Sequence, residues 1–128
     1  MSEPIWIEKE DCLGFHNILL SRFGGLEGLR DDGLLESALA RPQQLQVYEN
    51  PTPFELAAAY AHGIVKNHPF LDGNKRSGLM AAALFLEING WKFNAPEEEA
   101  VLQTLALAAG EVDADGYADW LRDSCSPV

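Results

Sequence analysis

At 128 residues, 47% of them hydrophobic, the chain has enough apolar material for one core and an ordinary composition for a soluble globule. A net charge of −11 and a pI of about 4.5 argue against binding DNA or an anionic membrane through a general electrostatic surface. Cys12 and Cys125 are the only cysteines and have no Cys/His metal spacing around them, which speaks against structural zinc and for free thiols in a reducing cytoplasm. We therefore expect one domain over residues 1–128, with no nucleic-acid partner. The N-terminus lacks a charged-then-apolar signal pattern, and the most apolar run, Leu79 to Ile88, is too short to span a bilayer, so no membrane association is expected.

In chain order, Ile5-Trp6-Ile7 reads as a short extended piece. A helical pattern follows from about Glu8, with Leu13, Ile18, Leu20 and Phe23 available for an inner face, and ends at Gly24-Gly25. Gly24, Gly25 and Gly28 do not form a P-loop, because no strand precedes them and no Gly-Lys-Ser/Thr follows. A second helix is predicted from about Asp32 to Ala40, stopping before Pro42, with Arg30, Glu36 and Arg41 as flanking charges. Leu45-Gln46-Val47-Tyr48 alternates like a short extended segment. Thr52-Pro53-Phe54-Glu55 is a helix start with a capping box, Thr52 as N-cap and Pro53 in the first helical position. This helix runs to about Asn67. Its alanines and Gly63 permit close packing, and His62 reads as structural.

The segment His68-Pro69-Phe70-Leu71-Asp72-Gly73-Asn74-Lys75-Arg76 gathers an imidazole, a carboxylate, an amide and two cations into nine residues. It leads into a helix from about Asn74 to Asn89 that is apolar nearly all round, the pattern of a central buried helix. Lys75 and Arg76 fall in its first turn, where positive charge opposes the helix dipole at a cost of about 0.3–1 kcal/mol each when exposed. Free N–H groups and two cations suit an anion, most simply a phosphate. Arg76 can grip phosphate oxygens in pairs, while Lys75 acts as a point charge. Asp72 repels phosphate unless a divalent cation such as Mg²⁺ lies between them. His68 is the candidate proton acceptor. Gly73 permits a positive φ, and Phe70 serves as a loop anchor. Taken singly, the same residues have plainer readings, with Asp72 or Asn74 as a helix cap and Lys75-Arg76 as solvated surface.

Beyond this loop, Gly90 ends the helix and Trp91-Lys92-Phe93 is a connector. Asn94 is placed to cap a helix whose first turn holds Glu97, Glu98 and Glu99 and whose core face is Val101, Leu102, Leu105 and Leu107. Gly110 ends that helix. A last one runs from about Asp115 to Ser124, with Tyr117, Trp120 and Leu121 inward. The sum is an all-α bundle of five to six helices with little strand.

The nine-residue segment resembles the core motif of the Fic/Doc superfamily, in its death-on-curing branch of toxins from toxin–antitoxin modules. The likeness extends upstream through Phe23–Asp31 and Gly33–Pro42 and downstream through Leu84–Gly90, so it covers nearly the whole chain. The resemblance implies a Fic/Doc-like fold in which residues 45–48 act as a flap aligning a target peptide. It implies transfer of the γ-phosphate of ATP or another nucleoside triphosphate to a Thr or Ser hydroxyl of a translation factor, elongation factor Tu. His68 would take the hydroxyl proton, and Asp72 would hold Mg²⁺. Gly73, Asn74, Lys75 and Arg76 would cradle the phosphates. Arg30 is open as a further contributor to the cleft.

Two departures from the wider Fic pattern bear on the reaction. Lys75 stands where adenylyltransferases carry Gly, and Leu79 stands where they carry a second Arg. Both favour phosphoryl transfer over the alternative, AMP transfer. An idle module that only binds a partner is the third reading, and the intact His68, Asp72, Lys75 and Arg76 count against it. No Ser/Thr-x-x-x-Glu-Gly/Asn inhibitory motif occurs, since Phe23 precedes Glu27-Gly28 at that spacing. Inhibition is then expected from a second chain, a partly disordered antitoxin that folds as a helix on the toxin.

Overall fold

The computed structural model describes residues 3–128 and consists of six helices with one two-stranded sheet. The helices are α1 (Lys9–Phe23), α2 (Asp32–Tyr48), α3 (Pro53–Asn67), α4 (Asn74–Ile88), α5 (Glu97–Ala109) and α6 (Ala114–Asp123). The strands are β1 (Trp91–Phe93) and β2 (Cys125–Pro127).

The most enclosed element is α3. Its start is the capping box read from the sequence: Thr52 Oγ1 accepts from the Glu55 N–H at 3.1 Å, and Glu55 accepts from the Thr52 N–H at 2.9 Å. Nine of its fifteen residues are buried, and it packs against α2, α4, α5 and α6. A Cβ on Gly63 would sit 3.2 Å from the Ala38 backbone, so the crossing of α3 over α2 depends on that missing side chain. The hub is thus α3 rather than α4. Along α4, Met80 and Ile88 are exposed and Leu79, Ala83 and Leu84 only half-buried.

The predicted break before Pro42 and the extended flap at residues 45–48 are both corrected. Helix α2 continues through Pro42 to Tyr48, and the Glu49 N–H closes its last turn on the Leu45 carbonyl at 2.9 Å. An interior proline costs a helix about 3 kcal/mol. Here Pro42 is fully buried, and packing offsets local propensity. The main chain at residues 45–48 is helical, so it cannot align a peptide as a strand would.

Three smaller expectations also change. Trp91–Phe93 is a strand that pairs antiparallel with Cys125–Pro127, Lys92 opposite Ser126. Asn94 caps no helix; its side chain donates to Ser126 Oγ, and Pro96 holds the N-cap position of α5. On α5, Ala100, Thr104 and Leu107 face the core, whereas Val101, Leu102 and Leu105 are 45%, 66% and 44% exposed. On α1 the buried stripe is Cys12, Phe15, His16, Leu19 and Leu20, while Ile18 and Phe23 lie outside it. The Ile5–Ile7 segment is held by side chains: Asn89 bonds both main-chain groups of Ile5, and the Tyr60 hydroxyl those of Ile7.

Candidate active site

The loop between α3 and α4 is built by three fastenings. The Phe70 ring is 1% exposed and stacks on the His16 imidazole, with centroids 3.7 Å apart and planes 9° from parallel. The Asn74 side-chain amide bonds both main-chain groups of Phe70, accepting from its N–H and donating to its carbonyl, each at 2.9 Å. Residues 28–31 run alongside, with the Arg30 and Asp31 N–H groups donating to the Pro69 carbonyl and the Leu71 N–H donating to the Gly28 carbonyl.

At the entry to this loop, His68 caps α3 in the left-handed region, at φ 53° and ψ 53°. A non-glycine residue at positive φ is strained unless its surroundings hold it there. Arg30 supplies the hold. Its Nε donates to the His68 carbonyl at 2.7 Å and its NH2 to the Asn67 carbonyl at 2.9 Å. A cation at the C-terminus of α3 also complements the helix dipole. The Arg30 guanidinium therefore braces the loop and does not enter the cleft.

At the exit, Gly73 takes φ 79° and ψ 19° as the N-cap of α4, a conformation that costs glycine little. No side chain caps α4, and its first turn holds no acidic residue. The Gly73 carbonyl accepts the first intrahelical bond, from the Ser77 N–H. The N–H groups at the start of α4 consequently have no helical acceptor, which is the physical basis of an anion site.

A cleft of about 310 Å³ opens above this helix start. His68, Asp72, Gly73, Asn74, Lys75 and Arg76 line it together with Leu79 and the α5 residues Val101, Thr104 and Leu105. The chain thus brings the five polar candidates and Gly73 to one cavity. Among the described residues, neither Lys75 nor Arg76 forms an ion pair, although acidic residues outnumber basic ones twenty to nine. The Arg76 guanidinium lies over the Phe23 ring, 4.3 Å from its centroid. One Asp72 carboxylate oxygen accepts from the Leu26 N–H at 2.9 Å, and the group remains exposed.

Asn74 is the candidate whose role the geometry narrows. Its side chain is committed to Phe70, so only its main-chain N–H is left for a ligand. Neither Asp72 nor Asn74 is a helix cap. Thr104 Oγ1, at the cleft wall, is tied to the Tyr117 hydroxyl at 2.8 Å, and burial pushes that phenol up to about 12. His62 lies elsewhere, with Nδ1 2.9 Å from the Arg41 guanidinium. A guanidinium can only donate, so Nδ1 accepts this hydrogen bond; burial, then Arg41, holds the imidazole below the usual range.

Reasoning from the sequence missed His16, Phe23, Leu26 and the α5 wall. His16 carried a signal, since it sits at helical spacing from Cys12, Leu19 and Leu20 on the buried stripe of α1. The other contacts join segments far apart in sequence and left no local mark.

A divalent cation in this cleft would meet one lining carboxylate, that of Asp72. No cluster of three His, Cys, Asp or Glu occurs among the described residues. Asp72 offers a single exposed carboxylate, so Mg²⁺ would complete its shell with phosphate oxygens and water.

The Fic/DOC family model matches residues 6–86. The chain is similar to the "Protein kinase doc" of Escherichia phage P1, 38% identical over 118 residues that cover 91% of this chain and 92% of that protein. It is 35% identical over 115 residues to the "Toxin Doc" of Mycolicibacterium smegmatis, covering 85% and 86%. A Fido domain-containing protein of Dictyostelium discoideum is 37% identical over 76 residues, 57% of this chain and 49% of that one. With the family model spanning well over half of the chain and the loop motif intact at the head of α4, the protein belongs to the Fic/DOC family.

Proposed function

We propose that this protein is a Doc-type toxin that transfers a phosphoryl group from a nucleoside triphosphate to a protein hydroxyl. The observation that carries the reading is the cleft at the start of α4, where two cations without an ion-pair partner among the described residues, main-chain amides at a helix start, a carboxylate and an imidazole share one cavity. In phosphoryl transfer the protein mainly positions the groups and stabilises charge, and this is what such a constellation supplies.

In this mechanism the Gly73, Asn74, Lys75 and Arg76 amides bind phosphate oxygens, with the Lys75 and Arg76 side chains offsetting their charge. Asp72 would hold Mg²⁺, which would supply positive charge to the phosphates of the donor. His68 takes the proton of the incoming hydroxyl. Arg30 and the Asn74 clamp fix the two ends of the loop and hence the spacing between the proton acceptor and the phosphate cradle. Leu79 lines the cleft without a charge, which leaves no second arginine clamp and supports phosphoryl over AMP transfer.

The target we assign is a threonine or serine of a translation factor, elongation factor Tu, modified in the cytoplasm. The name of the mycobacterial relative supports an antitoxin partner as well. Exposed apolar side chains flank the cleft, Phe23 and Leu26 on one rim and Val101, Leu102 and Leu105 on the other, and a helix folding onto the toxin would cover surface of this kind.

Growth arrest on expression tests the reading in cells. His68→Ala is expected to abolish arrest while the purified variant keeps its helical circular dichroism and Tm. Arrest by a folded His68→Ala protein would refute the role given to His68.

A further inference from the structure

His16 is the one buried imidazole in the molecule, 2% exposed, and no step above uses it. It reaches from α1 to the underside of the loop. Its ring lies flat on Phe70, and its Nε2 is 2.8 Å from the Asp72 carbonyl oxygen. A carbonyl can only accept, so Nε2 carries the proton.

That bond fixes more than a carbonyl. In a planar trans peptide the C=O and the following N–H point in opposite directions. The Asp72 carbonyl is drawn down toward α1, so the Gly73 N–H is turned up, away from the core. Gly73 lines the cleft, and its N–H donates to no main-chain acceptor among the described residues. With φ at 79° and no side chain, Gly73 could adopt other peptide orientations at little cost. Something must select this one. A Cβ at Gly73 would approach His16 Nε2 to 3.5 Å, so the ring is packed directly against the peptide it would select.

We propose that His16 is a positioning residue that sets the Asp72–Gly73 peptide so that the Gly73 N–H becomes the first donor of the phosphate cradle. The proposal rests on the phosphate reading of the cleft. Phe70 holds the ring in plane, and the Asn74 clamp holds Phe70. A chain of buried contacts thus runs from α1 to one main-chain amide in the site.

The test is amide NMR of the ¹⁵N-labelled full chain, titrated with Mg²⁺ and the non-hydrolysable ATP analogue adenylyl imidodiphosphate. In the wild type the Gly73 amide proton should move downfield on binding. His16→Phe keeps an aromatic ring against Phe70 but cannot donate; it should lose that shift and bind the analogue roughly tenfold more weakly, about the effect of one lost hydrogen bond. His16→Gln keeps a donor and should restore part of both. If wild type and His16→Phe respond alike at Gly73, the proposal is overturned and the phosphate reading stands. If no loop amide of the wild type responds, the phosphate reading fails and the proposal with it. One further measurement needs no variant to fold: the ¹⁵N spectrum of the His16 ring should show Nε2 protonated, and a neutral ring protonated only on Nδ1 would overturn the proposal.

Discussion

The guanidinium of Arg76 stands over the ring of Phe23, 4.3 Å from its centroid, and no carboxylate among the described residues pairs with it. The contact orders a long side chain without neutralising it, since the ring offers only its quadrupole. Arg76 is thereby held ready for an anion. Phe23→Ala should weaken nucleotide binding roughly two- to fivefold, the value of about 0.5–1 kcal/mol for an exposed contact of this kind. Because Phe23 is 47% exposed, Tm should barely change, and Phe23→Tyr should bind like the wild type. Calorimetric titration would check this; unchanged affinity in Phe23→Ala would show that the stacking is incidental.

The Asn74 clamp should matter more for stability than for charge. Asn74→Ala leaves the Phe70 N–H and carbonyl buried without their partner. Two such losses should cost about 2–4 kcal/mol in urea unfolding. A loss within about 0.5 kcal/mol would mean that water replaces the amide, and that the clamp does not hold the loop.

His62 links stability to pH. Its imidazole is held below the usual value of 6.5 by burial and by Arg41 and Lys66. As pH falls below 6.5 the unfolded chain takes up a proton that the folded chain still refuses. The stabilising contribution is therefore present above 6.5 and lost as pH drops toward the folded value. His62→Gln removes this term, so the Tm of the variant should fall less steeply below pH 6.5 than that of the wild type. Parallel curves would place the acid sensitivity elsewhere.

The loop was legible in the sequence because its chemistry is contiguous, with nine residues carrying every polar group of the cavity except Thr104. The start of α3 was legible for the same reason, since a capping box is local. What escaped was settled by packing between distant segments. Pro42 signals a stop, yet its burial keeps α2 helical. Strand β1 finds its partner more than thirty residues away. On α5 the core is lined by the small Ala100 and Thr104 beside Leu107, while Val101 and Leu105 are spent on the cleft wall. Ranking side chains by hydrophobicity cannot separate a core face from a face that lines a site.

The central claim is γ-phosphoryl transfer with His68 as proton acceptor, and the most direct measurement follows label from ATP to elongation factor Tu. Purified protein, Mg²⁺ and the factor would be incubated in parallel with α-labelled and γ-labelled ATP. Label moving only from the γ position, and lost in His68→Ala, is the predicted result. Label moving from the α position would mean AMP transfer and would contradict the reading drawn from Lys75 and Leu79.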